Sequence, residues 1–89
     1  MLEFCMNSLM KYFVYLLECA DSTFYTGYTT DIDRRILEHN SFNLGAKYTR
    51  GRRPVVLKYS KSFETLSEAL KYEYYLKSLS RNDKKKLLE

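Results

Sequence analysis

Cysteine is scarce in this chain of 89 residues: Cys5 and Cys19 are the only two, and they form no C-x-x-C pair. That spacing speaks against a disulfide framework or a structural zinc site and fits a reducing, cytoplasmic setting. Histidine occurs once and glycine three times, so neither a zinc-ligand pattern nor a glycine-rich phosphate loop is present. Zinc-based, cysteine-nucleophile and nucleotide-dependent enzymes are therefore disfavoured. No apolar run approaches 18 residues, so no transmembrane helix and no membrane partner are expected. The opening MLEFCMNSLM lacks a basic start and a long apolar centre, and does not read as a signal peptide. Residues 1–10 read as a short extension ahead of a single domain over 11–89. Acid is missing from one long interval. Between Glu38 and Glu64 there is none, while Lys47, Arg50, Arg52, Arg53, Lys58 and Lys61 all fall there. The overall net charge is only +4. This local field attracts a polyanion such as nucleic acid, unless the interval is simply a solvated loop and strand.

Apolar residues make up 45% of the chain, enough for one small core. YFVYLLE, residues 12–18, reads as a strand buried on both faces. ADST follows as a turn, and FYTGYT as a second strand that pairs with the first in an antiparallel hairpin. Gly27 interrupts that strand, a mark of close approach by another group. Thr30 reads as the N-cap of a helix running to about Asn40. Residues 41–53 read as a polar, basic loop, and Pro54 opens a third strand, VVLKYSKSF. Thr65 and Glu68 form a capping box for a longer helix to about Leu79, and Ser80 caps a short last helix. The order β-β-α-β-α-α defines an α/β fold, a three-stranded antiparallel sheet flanked by helices.

Two helix faces carry polar residues where apolar ones are expected. On the first helix Ile32, Arg35, Ile36 and His39 share one arc, with Arg34 and Glu38 on the far side. Arg35 then either lies along the sheet edge as a snorkelling side chain or faces a site. On the longer helix Leu66, Ala69, Leu70 and Leu76 mark an apolar stripe, with Glu73 near its centre. A buried carboxylate needs a partner: either Lys77, one turn on, or a metal in a functional cleft.

Together these residues form a recognisable pattern. The chain resembles the GIY-YIG nuclease domain, in particular its small single-domain bacterial members. Phe13-Val14-Tyr15 stands for the first signature triplet and Tyr25-Thr26-Gly27 for the second. Arg35 and His39 follow on the next helix, and Glu73 lies within EALKYEYYLK. The likeness runs from about Lys11 to Leu88. Tyr28 departs from the lysine that many members carry there, and Asn82 sits too near Glu73 to take the role of their downstream asparagine.

The resemblance implies a metal-dependent endonuclease that hydrolyses phosphodiester bonds in DNA, with structural rather than sequence preference. RNA stays open as a substrate, and the chain is expected to be a monomer. It implies that Glu73 holds one Mg²⁺ or Mn²⁺. Arg35 would bind a nonbridging oxygen, and Tyr15 would position the water or act as base. Tyr25 would orient water or phosphate, and His39 would relay a proton from a pKa near neutrality. The basic interval Lys47 to Lys61 would bind substrate phosphates. Two other classes stay open: a nucleic-acid-binding module of the same fold with little or no catalysis, and an interaction subunit completed by a partner protein.

Overall fold

β1 (Tyr12–Glu18) is the central strand of a three-stranded antiparallel sheet, flanked by β2 (Phe24–Thr29) and β3 (Val56–Phe63) in the order β2-β1-β3. A central strand covered on both faces must be apolar at every position, and Val14, Tyr15, Leu16 and Leu17 are all buried. The computed structural model describes residues 11–41 and 45–88. The expected extension over 1–10 lies outside the described residues. Helix α1 (Ile32–His39), the single turn α2 (Lys47–Arg50), α3 (Leu66–Ser78) and α4 (Arg81–Leu87) complete the fold. Among the described residues no helix is long and apolar enough to cross a membrane.

Strand alternation divides the core. Tyr15 and Leu17 point to one face and pack with Cys19, Val55, Tyr25, Ile36 and Leu57. Val14 points to the other and packs with Ala69 and Leu76 of α3, joined by Tyr59, Phe63 and Tyr72. Tyr59 and Tyr72 share a hydrogen bond of 2.8 Å between their hydroxyls, which satisfies both polar ends. The two sides of β1 thus have separate loads. One holds α3, and the other holds the tyrosine cluster described below.

The element order matches the sequence reading, with local differences. The cap of α1 is Asp31, not Thr30: its carboxylate accepts from the Arg34 N–H at 3.1 Å. Asp31 is itself tied down by Thr29, whose Oγ1 accepts from the Asp31 N–H. Thr65 does cap α3, accepting from the Glu68 N–H at 3.2 Å, and Ser80 caps α4. The expected loop 41–53 contains α2, whose Thr49 Oγ1 donates back to the Ala46 carbonyl at 2.9 Å. The third strand begins at Val56, because Asn40 occupies both backbone groups of Val55: Val55 N–H donates to Oδ1 at 2.8 Å and its carbonyl accepts from Nδ2 at 3.2 Å.

The apolar stripe of α3 also differs. Ala69 and Leu76 are buried and Tyr72 packs beside them, while Leu66 and Leu70 are exposed. At about 100° per residue, Ala69, Tyr72 and Leu76 span roughly 60°, and Glu73 lies just past their edge. The partly buried aromatic Tyr72 replaces the two leucines because β3 offers Tyr59 and Phe63 to pack against. Glu73 is therefore at the border of the stripe, not at its centre.

Candidate active site

Gly27 explains how the hairpin builds a site. It sits directly opposite Tyr15 in the β1–β2 register. A Cβ at Gly27 would come within 2.5 Å of Tyr15 Oη, 2.8 Å of its Cζ and 3.2 Å of Tyr25 Cε2. The Tyr15 ring therefore lies across the glycine, and its hydroxyl reaches the edge strand. There it borders a cleft of about 470 Å³ shared with Tyr25, Tyr28, Arg35, Glu38 and Glu73. Residues from β1, β2, α1 and α3 converge on this one space.

His39 is fully buried behind the tyrosines. Its Nε2 lies 2.9 Å from Tyr15 Oη, and its ring packs edge-on to Tyr25 at 5.2 Å. Its Nδ1 accepts from the Ala46 N–H at 3.3 Å and lies 3.1 Å from Thr49 Oγ1. A backbone N–H can only donate, so Nδ1 carries the lone pair and Nε2 the hydrogen, and Thr49 Oγ1 shares its one hydrogen between Nδ1 and the Ala46 carbonyl. Nε2–H then donates to Tyr15 Oη, and the tyrosine's own hydrogen is free to point into the cleft. Burial, with the Arg35 charge adding to it, pulls the His39 pKa down to about 4. The near-neutral value expected from the sequence does not hold, because an imidazolium here would be both desolvated and next to a guanidinium.

Burial likewise pushes Tyr15 up to about 12, against the downward pull of the neighbouring Arg35 guanidinium. Tyr15 is thus a neutral hydroxyl in this cleft. Arg35 is held by Glu38, whose Oε1 accepts from Nη1 at 2.7 Å, and this bond raises the arginine's pKa. Glu38 is half-buried and lines the cleft, as does Arg34, which lies 3.7 Å from Glu38. The expected placement of these two on the far side of α1 is corrected. The helix presents its i, i+3 and i+4 neighbours together to the cleft, so Arg34, Arg35 and Glu38 form one ion-paired group.

Glu73 side-chain atoms are only 15% exposed, and Lys77 Nζ lies 3.4 Å away. The lysine is mostly solvated, so this pair is loose. Among the described residues there is no cluster of three metal-ligating side chains. Glu73 offers one hard oxygen ligand facing open space, a donor set that suits Mg²⁺ or Mn²⁺ completed by water and phosphate. It does not suit zinc. Cys19 is buried and its thiol pushed up by desolvation, so it is no nucleophile.

A family model described as the GIY-YIG catalytic domain matches residues 11–87. The chain belongs to the GIY-YIG family. A UPF0213 protein of Halobacterium salinarum is 57% identical over 74 residues, covering 83% of this chain and 95% of its own. One of Staphylococcus haemolyticus is 48% identical, covering 91% and 98%. The GIY-YIG relatives are thus archaeal as well as bacterial. The solution structure of the UPF0213 protein BH0048 from Bacillus halodurans aligns with a TM-score of 0.57 at 52% identity, covering 89% of this chain and 83% of its own. That of EF2693 from E. faecalis aligns at 0.61 and 46%, covering 88% and 82%. Family membership points to nuclease chemistry on nucleic acid, and GIY-YIG nucleases generally depend on a divalent metal.

The cations expected to bind phosphate are divided by the fold. Lys47 and Arg50 are exposed on α2, beside the site, where Tyr48 stacks on Tyr25 at 5.7 Å. Arg52 pairs with Asp21 at 2.9 Å and lies 4.1 Å over the Tyr48 ring. Arg53, between α2 and β3, is half-buried. Lys58 faces Glu18 at 3.5 Å, and Lys61 lies over Tyr72 at 5.1 Å; both are on β3, at the sheet edge opposite the cleft. Acids distant in sequence thus answer part of the basic interval. Sequence reasoning missed Ala46, Thr49 and Glu38, because nothing in a loop or a helix pattern says which side chain will back a buried histidine or hold an arginine.

Proposed function

We propose that the chain is a metal-dependent endonuclease that hydrolyses phosphodiester bonds in DNA, with Tyr15, Tyr25, Arg35, His39 and Glu73 as its active site. The observation that carries this reading is the meeting of Tyr15, Tyr25, Arg35 and Glu73 in one cleft over a glycine that a methyl group would fill. A cation held by Glu73 supplies charge neutralisation at the phosphate and at the leaving oxygen.

The chain's own residues supply position. Arg35 spends one donor on Glu38 and keeps others for Tyr15 and for a nonbridging phosphate oxygen. Tyr15, accepting from His39, turns its hydrogen into the cleft and holds the attacking water or a phosphate oxygen there. Tyr25 closes the wall beside it, stiffened by Tyr15, His39 and Tyr48. His39 acts as a fixed donor rather than a proton relay, because its Nδ1 is committed to Ala46. Lys47 and Arg50 offer phosphate contacts on the adjoining turn. Contacts of this kind select shape over sequence.

The raised pKa of Tyr15 favours a second reading, a nucleic-acid-binding module that does not cut, because a neutral phenol is a poor base. Purified protein incubated with labelled duplex, branched and single-stranded DNA in Mg²⁺ or Mn²⁺ separates the two. Cleavage that disappears with EDTA and with Glu73→Ala is expected. Binding without cleavage across the panel would leave the second reading.

A further inference from the structure

On the α3 side of β2, beyond the cleft, a hollow of about 230 Å³ is lined by Thr23, Phe24, Arg81 and Lys84. At about 30 Å³ per water molecule it has room for a phosphate group. The Arg81 guanidinium lies 5.6 Å over the Phe24 ring, and Nη1 donates to the Ser22 carbonyl. That bond uses one of the guanidinium's five donors and fixes its plane. Lys84 is half-buried beside it, with no ion pair to an acid among the described residues. The neighbouring acids are turned elsewhere: Asp83 toward Lys86 at 3.9 Å, Asp21 toward Arg52, and Glu18 toward Lys58. Burial alone pulls the Lys84 pKa down. Two cations around one hollow, with no carboxylate between them, make a site whose missing component is an anion.

Its place in the sheet says which anion. Phe24 and Tyr28 lie on the same face of the edge strand β2, and Tyr28 borders the cleft. Four residues at about 3.3 Å each separate them by roughly 13 Å. That separation spans a short run of nucleotides along one strand.

We propose that Thr23, Phe24, Arg81 and Lys84 form a second phosphate site, which grips the backbone of a nucleic-acid strand a few nucleotides from the phosphate in the cleft. This rests on the cleft being a nucleic-acid site. Arg81 and Lys84 contact a phosphate, and the exposed edge of Phe24 lies against the adjoining sugar or base. The strand then runs along β2, and its length, not its sequence, determines affinity.

The test uses the full chain and two probes, a single-stranded DNA 12-mer and a dinucleotide. The 12-mer should shift the backbone amide resonances of Thr23, Phe24 and Lys84 together with those of Tyr25 to Thr29, and the dinucleotide only the latter group. Lys84→Gln should reduce the slope of log affinity against log salt for the 12-mer by roughly 0.7, and Lys84→Arg should restore it. An unchanged slope in Lys84→Gln, with no shifts at Thr23 or Phe24, would overturn the site, even if the protein cuts DNA. Shifts and a reduced slope without any cleavage would support the site and count against the endonuclease reading.

Discussion

Gly27→Ala is the sharpest test of how the cleft is built. The added methyl would lie 2.5 Å from Tyr15 Oη and 2.8 Å from Cζ. Ordinary carbon contacts begin near 3.5 Å, so the ring must retreat by about 1 Å. It has nowhere to go, because Tyr15 is 2% exposed and its hydroxyl is bonded to a fully buried histidine. Overpacking of this kind costs about 1–3 kcal/mol. Breaking the Tyr15–His39 bond and leaving both groups buried adds about 1–3 kcal/mol more. At about 4–8 °C per kcal/mol for a domain of this size, the melting temperature should fall by roughly 10 °C or more. The displacement should also cost on the order of 100-fold in cleavage among molecules that remain folded. Thermal melts followed by circular dichroism, and single-turnover cleavage at 15 °C, measure the two effects. Tyr15→Phe in the Gly27→Ala background removes the nearest atom and should recover part of the stability. If Gly27→Ala melts and cuts like wild type, Tyr15 does not lie across Gly27, and the account of the site is wrong.

Arg35→Ala should lose cleavage by roughly 100-fold or more while DNA affinity changes little, since the side chain is assigned to the transition state; a wild-type rate would remove it from the chemistry. Glu73→Gln, without metal, should stay within about 1 kcal/mol of wild type, because its Lys77 partner is largely solvated. Mn²⁺ should raise the melting temperature of wild type only, and the mutant should bind DNA without cutting it; a mutant markedly less stable than metal-free wild type would make Glu73 a structural residue. His39 titrates lower in the folded chain than in the unfolded one, so the unfolded state binds more protons between pH 6.5 and 4. Stability should therefore fall as pH drops through that window, by on the order of 3 kcal/mol in total. Urea midpoints at pH 7 and 5 should differ less in His39→Gln than in wild type, and equal pH dependence would contradict the buried neutral ring. Neutralising Lys47 and Arg50 should weaken DNA binding more than neutralising Lys58 and Lys61, read from affinities at fixed salt.

The hairpin and its neighbours were legible because their signals are local. Tyr12 to Leu17 is apolar at consecutive positions, which only a strand covered on both faces tolerates. The T-x-x-E box of Thr65 and Glu68 fixed the start of α3 to the residue. Gly27 was legible as a place of close approach, though not what approaches it. The rest depended on contacts distant in sequence. Thr30 and Asp31 are both good caps, and the choice falls to Asp31 because Thr29 holds its backbone N–H. The stripe of α3 was misread because leucine count outweighed Tyr72, whose partners lie on a strand that sequence periodicity cannot place. The basic interval appeared uniform because its acids, Glu18 and Asp21, belong to the hairpin and meet it only after folding. Lys84 carries no signal in the sequence, because it is one of three consecutive lysines and only the approach of Phe24 and Arg81 sets it apart.

The protonation pattern of the cleft determines what each of its groups can do. A tyrosine shifted to about 12 is the wrong base for neutral pH, and a histidine shifted to about 4 is the wrong acid. Both shifts come first from burial, the same packing that fixes the geometry. His39 Nε2–H nevertheless donates to Tyr15 Oη, and the Arg35 guanidinium lies beside it. Donors stabilise a phenolate more than a phenol, so the site opposes ionisation by desolvation and supports it by direction. Any positive charge brought into the cleft beside Glu73 shifts that balance toward the phenolate. Without that added charge, Tyr15 is a donor that holds water or phosphate in place. Ala46 holds His39 in this tautomer from behind: a ring free to turn its lone pair toward Tyr15 would take that hydrogen for itself and leave the cleft without the tyrosine's donor.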